Sequence, residues 1–255
     1  MTFAIHWLAR LTSRFKARLV TVVLIAGLLG GVGPALAAGA GLALIYRGPG
    51  ACDGCPEAAG AVASRVGLKV RYVSGPEITP ELLAKAAVYI QGGGEDVMDI
   101  RRSLTDAQVA SLKDYIAAGG RYWGICAGGY FAGKSIDDDG DGVGLQLFKG
   151  DAAGYSPYEA SMEQVLWNGV PRWMYLQEAP HFVLAPGSRA EVTATYRGGE
   201  VAALLAPYGR GWISLSGPHP EATQEWLELD DLEDPGLAPA HLADDMLKDL
   251  LRRGP

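Results

Sequence analysis

The chain has 255 residues, 49% of them hydrophobic, enough for one good-sized domain with its own core. Its formal charge is −7 and it has no basic run beyond the N-terminus, which argues against nucleic acid as a partner. Thirty-five glycines fit an α/β fold with many tight turns better than a helical one.

The N-terminal segment reads as targeting rather than fold. Arg10, Arg14, Lys16 and Arg18 precede an uncharged run, LVTVVLIAGLLGGVGPALAAGAGLALIY, from Leu19 to Tyr46. Leu19 to Leu29 has the length of a signal-peptide apolar core, GGVGP interrupts any helix, and Ala35-Leu36-Ala37 puts small residues at the cleavage spacing. The expectation is a signal peptide over 1–37 and a single domain over 38–255. The competing reading is an uncleaved membrane anchor, since the apolar run is long enough to span a bilayer. Either reading exports the domain to the periplasm or the cell exterior, where disulfides persist.

Beyond that segment strands and helices alternate. GLALIY, Gly41 to Tyr46, is a short apolar run closed by RGPG and predicts a buried strand. The C-x-x-C pair Cys52 and Cys55 follows. With no second such pair and no histidine nearby, it predicts a local disulfide rather than a zinc site. A redox role is weakened because the pair does not stand at the start of a clear helix. Helical spacing covers Pro56 to Val66, and LKVRYV, Leu68 to Val73, is a second strand. Thr79 and Pro80 form the N-cap and first position of a helix; Ala87 to Ile90 is a third strand ending in QGGG. Thr105 caps a helix whose Val109, Leu112, Tyr115 and Ile116 share a face, and Gly119-Gly120 stops it. RYWGIC is a fourth strand and AGGYFAG opens the next helix. This rhythm predicts a flavodoxin-like three-layer α/β sandwich with a mainly parallel sheet. Glu191 to Gly217 reads as three further strands joined by glycine turns, an added antiparallel section. Helices are expected from Glu221 to Leu227 and from Pro239 to Arg252.

Cys126 falls where the fourth strand gives way to a helix, and reactive groups of open parallel sheets gather at the carboxyl ends of their strands. Gly124-Ile125-Cys126-Ala127-Gly128 is a G-x-C-x-G run, the thiol counterpart of the G-x-S-x-G nucleophile elbow. A strained sharp turn would expose the thiol. Side chains two residues away on either side would clash, hence Gly124 and Gly128, with Gly129 next. A following helix N-terminus favours the thiolate, and the Ala127 N–H can face the oxygen of an attacked carbonyl. A base is needed too. His6 lies in the targeting segment and His241 in an amphipathic terminal helix. His219 stands in a rigid SGPHPE turn with Glu221 two residues on to orient its ring. The bland alternative is a loop histidine, with Glu221 serving the dipole of the helix that follows.

GICAGGY and SGPHPE together resemble the class I glutamine amidotransferase superfamily, whose triad is Cys, His and Glu, the last two in an H-P-E run. A closer likeness is to the domain found at the N-terminus of eukaryotic biotin–protein ligases and in stand-alone bacterial proteins. Shared with that group are a strand ending Y-x-G-P-G (Tyr46 to Gly50), a glycine turn after the third strand (YIQGGGED) and the C-A-G-G-Y run. The likeness covers Leu42 to Glu221. It implies Cys126 as nucleophile, His219 as base and Glu221 as orienting acid, with Gly93 in the Gly92–Gly94 turn supplying a second oxyanion N–H beside Ala127. No biotin-ligase catalytic portion and no synthetase domain is expected in this sequence. Where glutaminases of the superfamily commonly carry histidine or glutamine, this chain has Gly129 followed by Tyr130, a departure from glutamine as substrate.

The functional expectation is a thiol hydrolase acting on an amide or peptide-like compound. The alternatives are a non-catalytic ligand-binding module on the same fold, or a thiol redox sensor using Cys126 with Cys52 and Cys55. The expected partner is a small molecule or peptide. No cofactor or nucleic acid is expected, and a membrane only if the N-terminal segment stays uncleaved; the oligomeric state is left open. In DDDGDG, Asp137, Asp139 and Asp141 alternate like the opening of a calcium loop, but position twelve is Phe148 instead of glutamate, which favours a solvated acidic turn. Trp167, Trp173 and Tyr175 are expected to pack the core first and shape a pocket second.

Overall fold

Short apolar runs closed by Gly, Pro and Asp become the strands, and capped amphipathic segments become the helices. The computed structural model describes residues 41–135 and 143–254. The expected signal segment 1–37 and the acidic trio Asp137, Asp139 and Asp141 lie outside the described residues. In chain order come β1 (Leu42–Tyr46), α1 (Cys55–Arg65), β2 (Lys69–Val73), α2 (Pro80–Leu83), β3 (Ala86–Gln91), α3 (Val97–Arg102), α4 (Asp106–Ala117), β4 (Arg121–Ile125) and α5 (Ala127–Ala132). There follow β5 (Gly150–Gly154), β6 (Ser161–Trp167), β7 (Val170–Leu176), β8 (Pro180–Leu184), β9 (Glu191–Thr195), β10 (Val201–Tyr208), β11 (Gly211–Ser216), α6 (Gln224–Leu229) and α7 (His241–Arg252).

Local chemistry sets several boundaries. Thr79 accepts from the Leu82 N–H and Pro80 takes the first turn of α2. Thr105 and Gln108 form a reciprocal capping box at α4, and Gly119, at φ 117°, releases the chain beyond it.

One sheet runs in the order β2-β1-β3-β4-β11-β10-β9-β6-β7, with β8 pairing β10 and β5. Its first five members are parallel and the rest antiparallel. The fold is thus the α/β sandwich expected, with two adjustments. Three strands do form between Glu191 and Gly217, but β11 closes the parallel set, pairing Ile213 with Tyr122 and Ser216 with Ile125. The antiparallel part is also larger than the sequence announced, because β5 to β8 occupy Gly150–Leu184.

Period-two alternation of the buried strands separates two cores. Ala43, Ile45, Val88, Ile90, Trp123 and Ile125 face Ala59 and Val62 of α1 and Leu247 and Leu250 of α7. Leu44, Tyr46, Tyr89 and Tyr122 face Leu83, Ile100, Leu112, Ile116 and Phe131, from α2 to α5. Helices therefore cover both faces of the parallel strands, which leaves their carboxyl edge as the place for chemistry.

Candidate active site

β4 and β11 are hydrogen-bonded neighbours that end side by side. Cys126 and the His219 loop thus emerge together although 93 positions apart in the chain. The Cys126 N–H donates to Ser216 O at 2.8 Å, tying the two turns directly. Ser216 Oγ donates to Pro218 O (2.6 Å) and the His219 N–H donates to Tyr175 O on β7 (3.0 Å). The antiparallel section therefore anchors a loop that belongs to the parallel core.

Cys126 has φ 50° and ψ −108°, a sparsely populated conformation for a residue with a side chain. Such a backbone costs of order 1–3 kcal/mol and persists only where its surroundings over-determine it. Those surroundings explain the glycines. A Cβ on Gly124 would lie 2.6 Å from Gly128 O, and one on Gly128 would land on the Gln91 carbonyl oxygen. Gly128 N–H donates to Gly92 O (3.2 Å), which fastens the turn to the glycine run after β3. Among the described residues no backbone hydrogen bond engages the N–H of Ala127 or of Gly93. The helix after Cys126 is only six residues long and the N–H groups of Gly129 and Tyr130 already donate to Cys126 O, so it offers the Ala127 N–H rather than the extended dipole expected.

His219 is 4% exposed and Glu221 5%. His219 Nδ1–H donates to Glu221 Oε1 at 2.9 Å, which leaves Nε2 for the sulfur of Cys126. Burial alone pulls the His219 pKa down. The charges of Glu221 and Cys126, with hydrogen bonds to both, outweigh it and raise the value to about 10. Tyr175 and Trp226 hold the ring edge-on, at centroid distances of 5.6 and 5.2 Å. The helix expected from Glu221 starts instead at Gln224, so Glu221 belongs to the histidine and not to a helix end. Glu221 Oε2 is buried with no hydrogen-bond partner among the described residues.

Cys52 and Cys55 are joined in a disulfide, with Cα atoms 5.5 Å apart. The pair does stand at a helix start, against expectation: Gly54, at φ 79°, turns the chain and Cys55 is the first residue of α1. Gly93 sits against it. A Cβ there would lie 2.8 Å from Cys55 Sγ, 3.1 Å from Cys52 Sγ and 2.9 Å from His219 Cε1. The absent side chain at Gly93 is what lets the disulfide and the imidazole approach.

Two spaces with wall residues in common open on this edge. A cleft of about 600 Å³ is lined by Cys126, Ala127, Tyr130, Tyr158, Glu95 and Glu178, among others. A smaller cavity of about 80 Å³ brings together Cys52, Cys55, Cys126, Tyr175, His219 and Trp226. Cys126 is common to both. Its Sγ–H donates to Gln177 O at 3.5 Å, and Glu178, next along, has φ 46°. Gln177, Glu178, Tyr158 and Trp226 carry no sequence signal; they reach the site through tertiary structure. Tyr175 shapes the cavity while Trp167 stays in the core, 5% exposed.

Residues 43–156 match the family described as "Biotin-protein ligase, N terminal". A biotin–protein ligase from Schizosaccharomyces pombe is 28% identical over 177 residues, 59% of this chain. The chain spans only 28% of that protein's length. A solved glutamine amidotransferase superposes with a TM-score of 0.56 at 19% identity, over 75% of this chain and 99% of that one. PurLQS from Thermotoga maritima gives 0.58 at 16%, over 84% and 98%. At those identities the two structures share the fold.

Proposed function

We propose that this chain, which carries the biotin–protein ligase N-terminal domain on a glutamine amidotransferase-like fold, is an exported hydrolase that cleaves an amide or peptide-like bond through Cys126. The observation that carries the reading is the shared cavity. A thiol on a strained turn and an imidazole bonded to a buried carboxylate open on one space, although they come from separate strands. Nucleophile, base and orienting acid are the three roles such chemistry needs.

In this reading His219 Nε2 takes the proton of Cys126 and Glu221 holds the resulting imidazolium. The thiolate attacks the carbonyl carbon. The N–H groups of Ala127 and Gly93 receive the developing oxyanion, both being free of backbone partners among the described residues. Collapse of the tetrahedral adduct sends the proton from His219 to the leaving nitrogen and leaves a thioester on Cys126. Water, deprotonated by His219, then releases the acid. The cleft is of a size that admits a small molecule or a few residues of peptide. The signal-like N-terminus supports export, and the Cys52–Cys55 disulfide is consistent with an oxidising compartment.

Intact-mass measurement on the purified chain, challenged with a panel of activated aryl amides and short peptide amides, tests this. The expected result is an acyl adduct on Cys126 and product release, both lost in Cys126→Ala. A second reading, a ligand-binding module, is favoured by the low exposure of Cys126, 6%, and the seat of its Sγ on Gln177 O. Compounds that raise the melting temperature without ever being consumed or forming an adduct would establish that reading instead.

A further inference from the structure

The triad chemistry uses one cysteine, yet all three line the same small cavity. We propose that Cys126 and the Cys52–Cys55 disulfide form an internal thiol–disulfide exchange centre, in which Cys126 attacks Cys52 and is stored as a Cys52–Cys126 disulfide. This rests on Cys126 and His219, as the hydrolase reading does, but needs no amide substrate.

The geometry supports each partner in the exchange. A Cβ on Gly93 would lie within 3.1 Å of both disulfide sulfurs and 2.9 Å from His219 Cε1, so the disulfide and the base that serves Cys126 both border the space beside Gly93. The two half-cystines are not equivalent. Cys52 lies in the loop between β1 and α1 and is partly exposed, whereas Cys55 is 4% exposed and opens an eleven-residue helix. A thiolate at that position is stabilised by the free N–H groups and dipole of α1, and the more stable thiolate leaves faster in exchange. Attack is therefore directed at Cys52. Cys126 gives its proton to His219, the Cys126–Cys52 S–S bond forms and the Cys52–Cys55 bond breaks. The electron pair settles on Cys55 Sγ. Reversal by Cys55 regenerates the starting state, so no external oxidant or reductant is consumed. While the bond to Cys52 stands, Cys126 cannot attack an amide, and one nucleophile is shared between two reactions.

The test is disulfide mapping of the unreduced full chain, held at pH 8 with a maleimide continuously present, then digested without reduction. The expected product is a Cys52–Cys126 linked peptide with maleimide on Cys55. It should accumulate about tenfold or more slowly in His219→Ala, where the proton acceptor is missing. In Cys55→Ser, mild diamide treatment should link Cys52 to Cys126, with a thermal melt confirming that the variant is folded. If Cys55→Ser does not fold, the wild-type map decides alone. Maleimide found only on Cys126 with Cys52–Cys55 intact at every time point would overturn the proposal, as would a folded Cys55→Ser chain whose Cys126 stays fully alkylatable after diamide. Because no amide is present, failure of the hydrolase reading would leave a positive map standing, and an empty map would leave that reading standing.

Discussion

Glu221, His219 and Cys126 are all buried, so the imidazole of His219 senses the charge of the other two strongly. The raised His219 pKa is also a statement about stability. A group protonated more tightly when folded stabilises the fold fully below its unfolded pKa, here 6.5, and loses that contribution as pH rises through its folded value, about 10. The urea midpoint of the wild type should therefore fall between pH 6.5 and 10 more steeply than that of His219→Ala; parallel curves would count against the charge arrangement. The glycines separate in the same way. Alanine favours a helix by about 1 kcal/mol over glycine, and both Gly128 and Gly129 lie in α5. At Gly128 the clash with the rigid β3 backbone wins, and Gly128→Ala should destabilise by about 1–3 kcal/mol or more. At Gly129 the nearest atoms to the new methyl are side-chain ones, Phe182 Cζ at 3.0 Å and Pro180 Cγ at 3.3 Å, against the much closer Gln91 backbone oxygen for Gly128, so Gly129→Ala should be milder in urea denaturation. Short local runs point to Cys126, His219 and Glu221, which the structure places together, whereas Gln177 follows β7 of the antiparallel section, Trp226 comes from α6, and neither had a local signal.

The parallel half is written as clean apolar runs, caps and glycine stops, which is why β1 to β4 and their helices read directly from the sequence. The section from β5 to β8 is half-buried and mixed in pattern, so its strands do not stand out as apolar runs. One signal was there to be used: SMEQVLW and VPRWMYL flank Asn168-Gly169, the strongest short hairpin mark a sequence carries. Asn168 and Gly169 have φ 48° and 76°, and a Cβ on Gly169 would meet nothing within 4 Å. Gly169→Ala should thus cost only its backbone conformation, about 1–2 kcal/mol by urea denaturation. A null effect would mean that the turn is not fixed in this form. The hairpin matters to the site because β7 carries Tyr175, whose carbonyl receives the His219 N–H and whose ring packs on the imidazole.

At the scale of the molecule, the C-terminal helix closes one face of the sheet. Leu247 and Leu250 of α7 are fully buried, Trp123 Nε1–H reaches Met246 Sδ at 3.4 Å, and Arg121 donates to Leu250 O and Arg253 O at the end of the helix. Burial rather than charge should dominate this docking. Leu247→Ala should cost about 2–5 kcal/mol, whereas Asp244→Ala, which breaks a half-exposed pair with Arg65, should cost about 1 kcal/mol or less. Equal effects in urea would reverse that ranking. The same architecture brings β4 and β11 together, and with them the two turns on which the proposed chemistry depends. The rate of Cys126 alkylation by iodoacetamide, measured on the unreduced full chain from pH 6 to 10 in wild type and His219→Ala, tests the central claim most directly. The wild type should react about 100-fold faster at pH 6 to 7, where the His219 imidazolium holds the sulfur as thiolate, with the gap closing as pH approaches the His219 value of about 10. Superimposable profiles for the two proteins would contradict it.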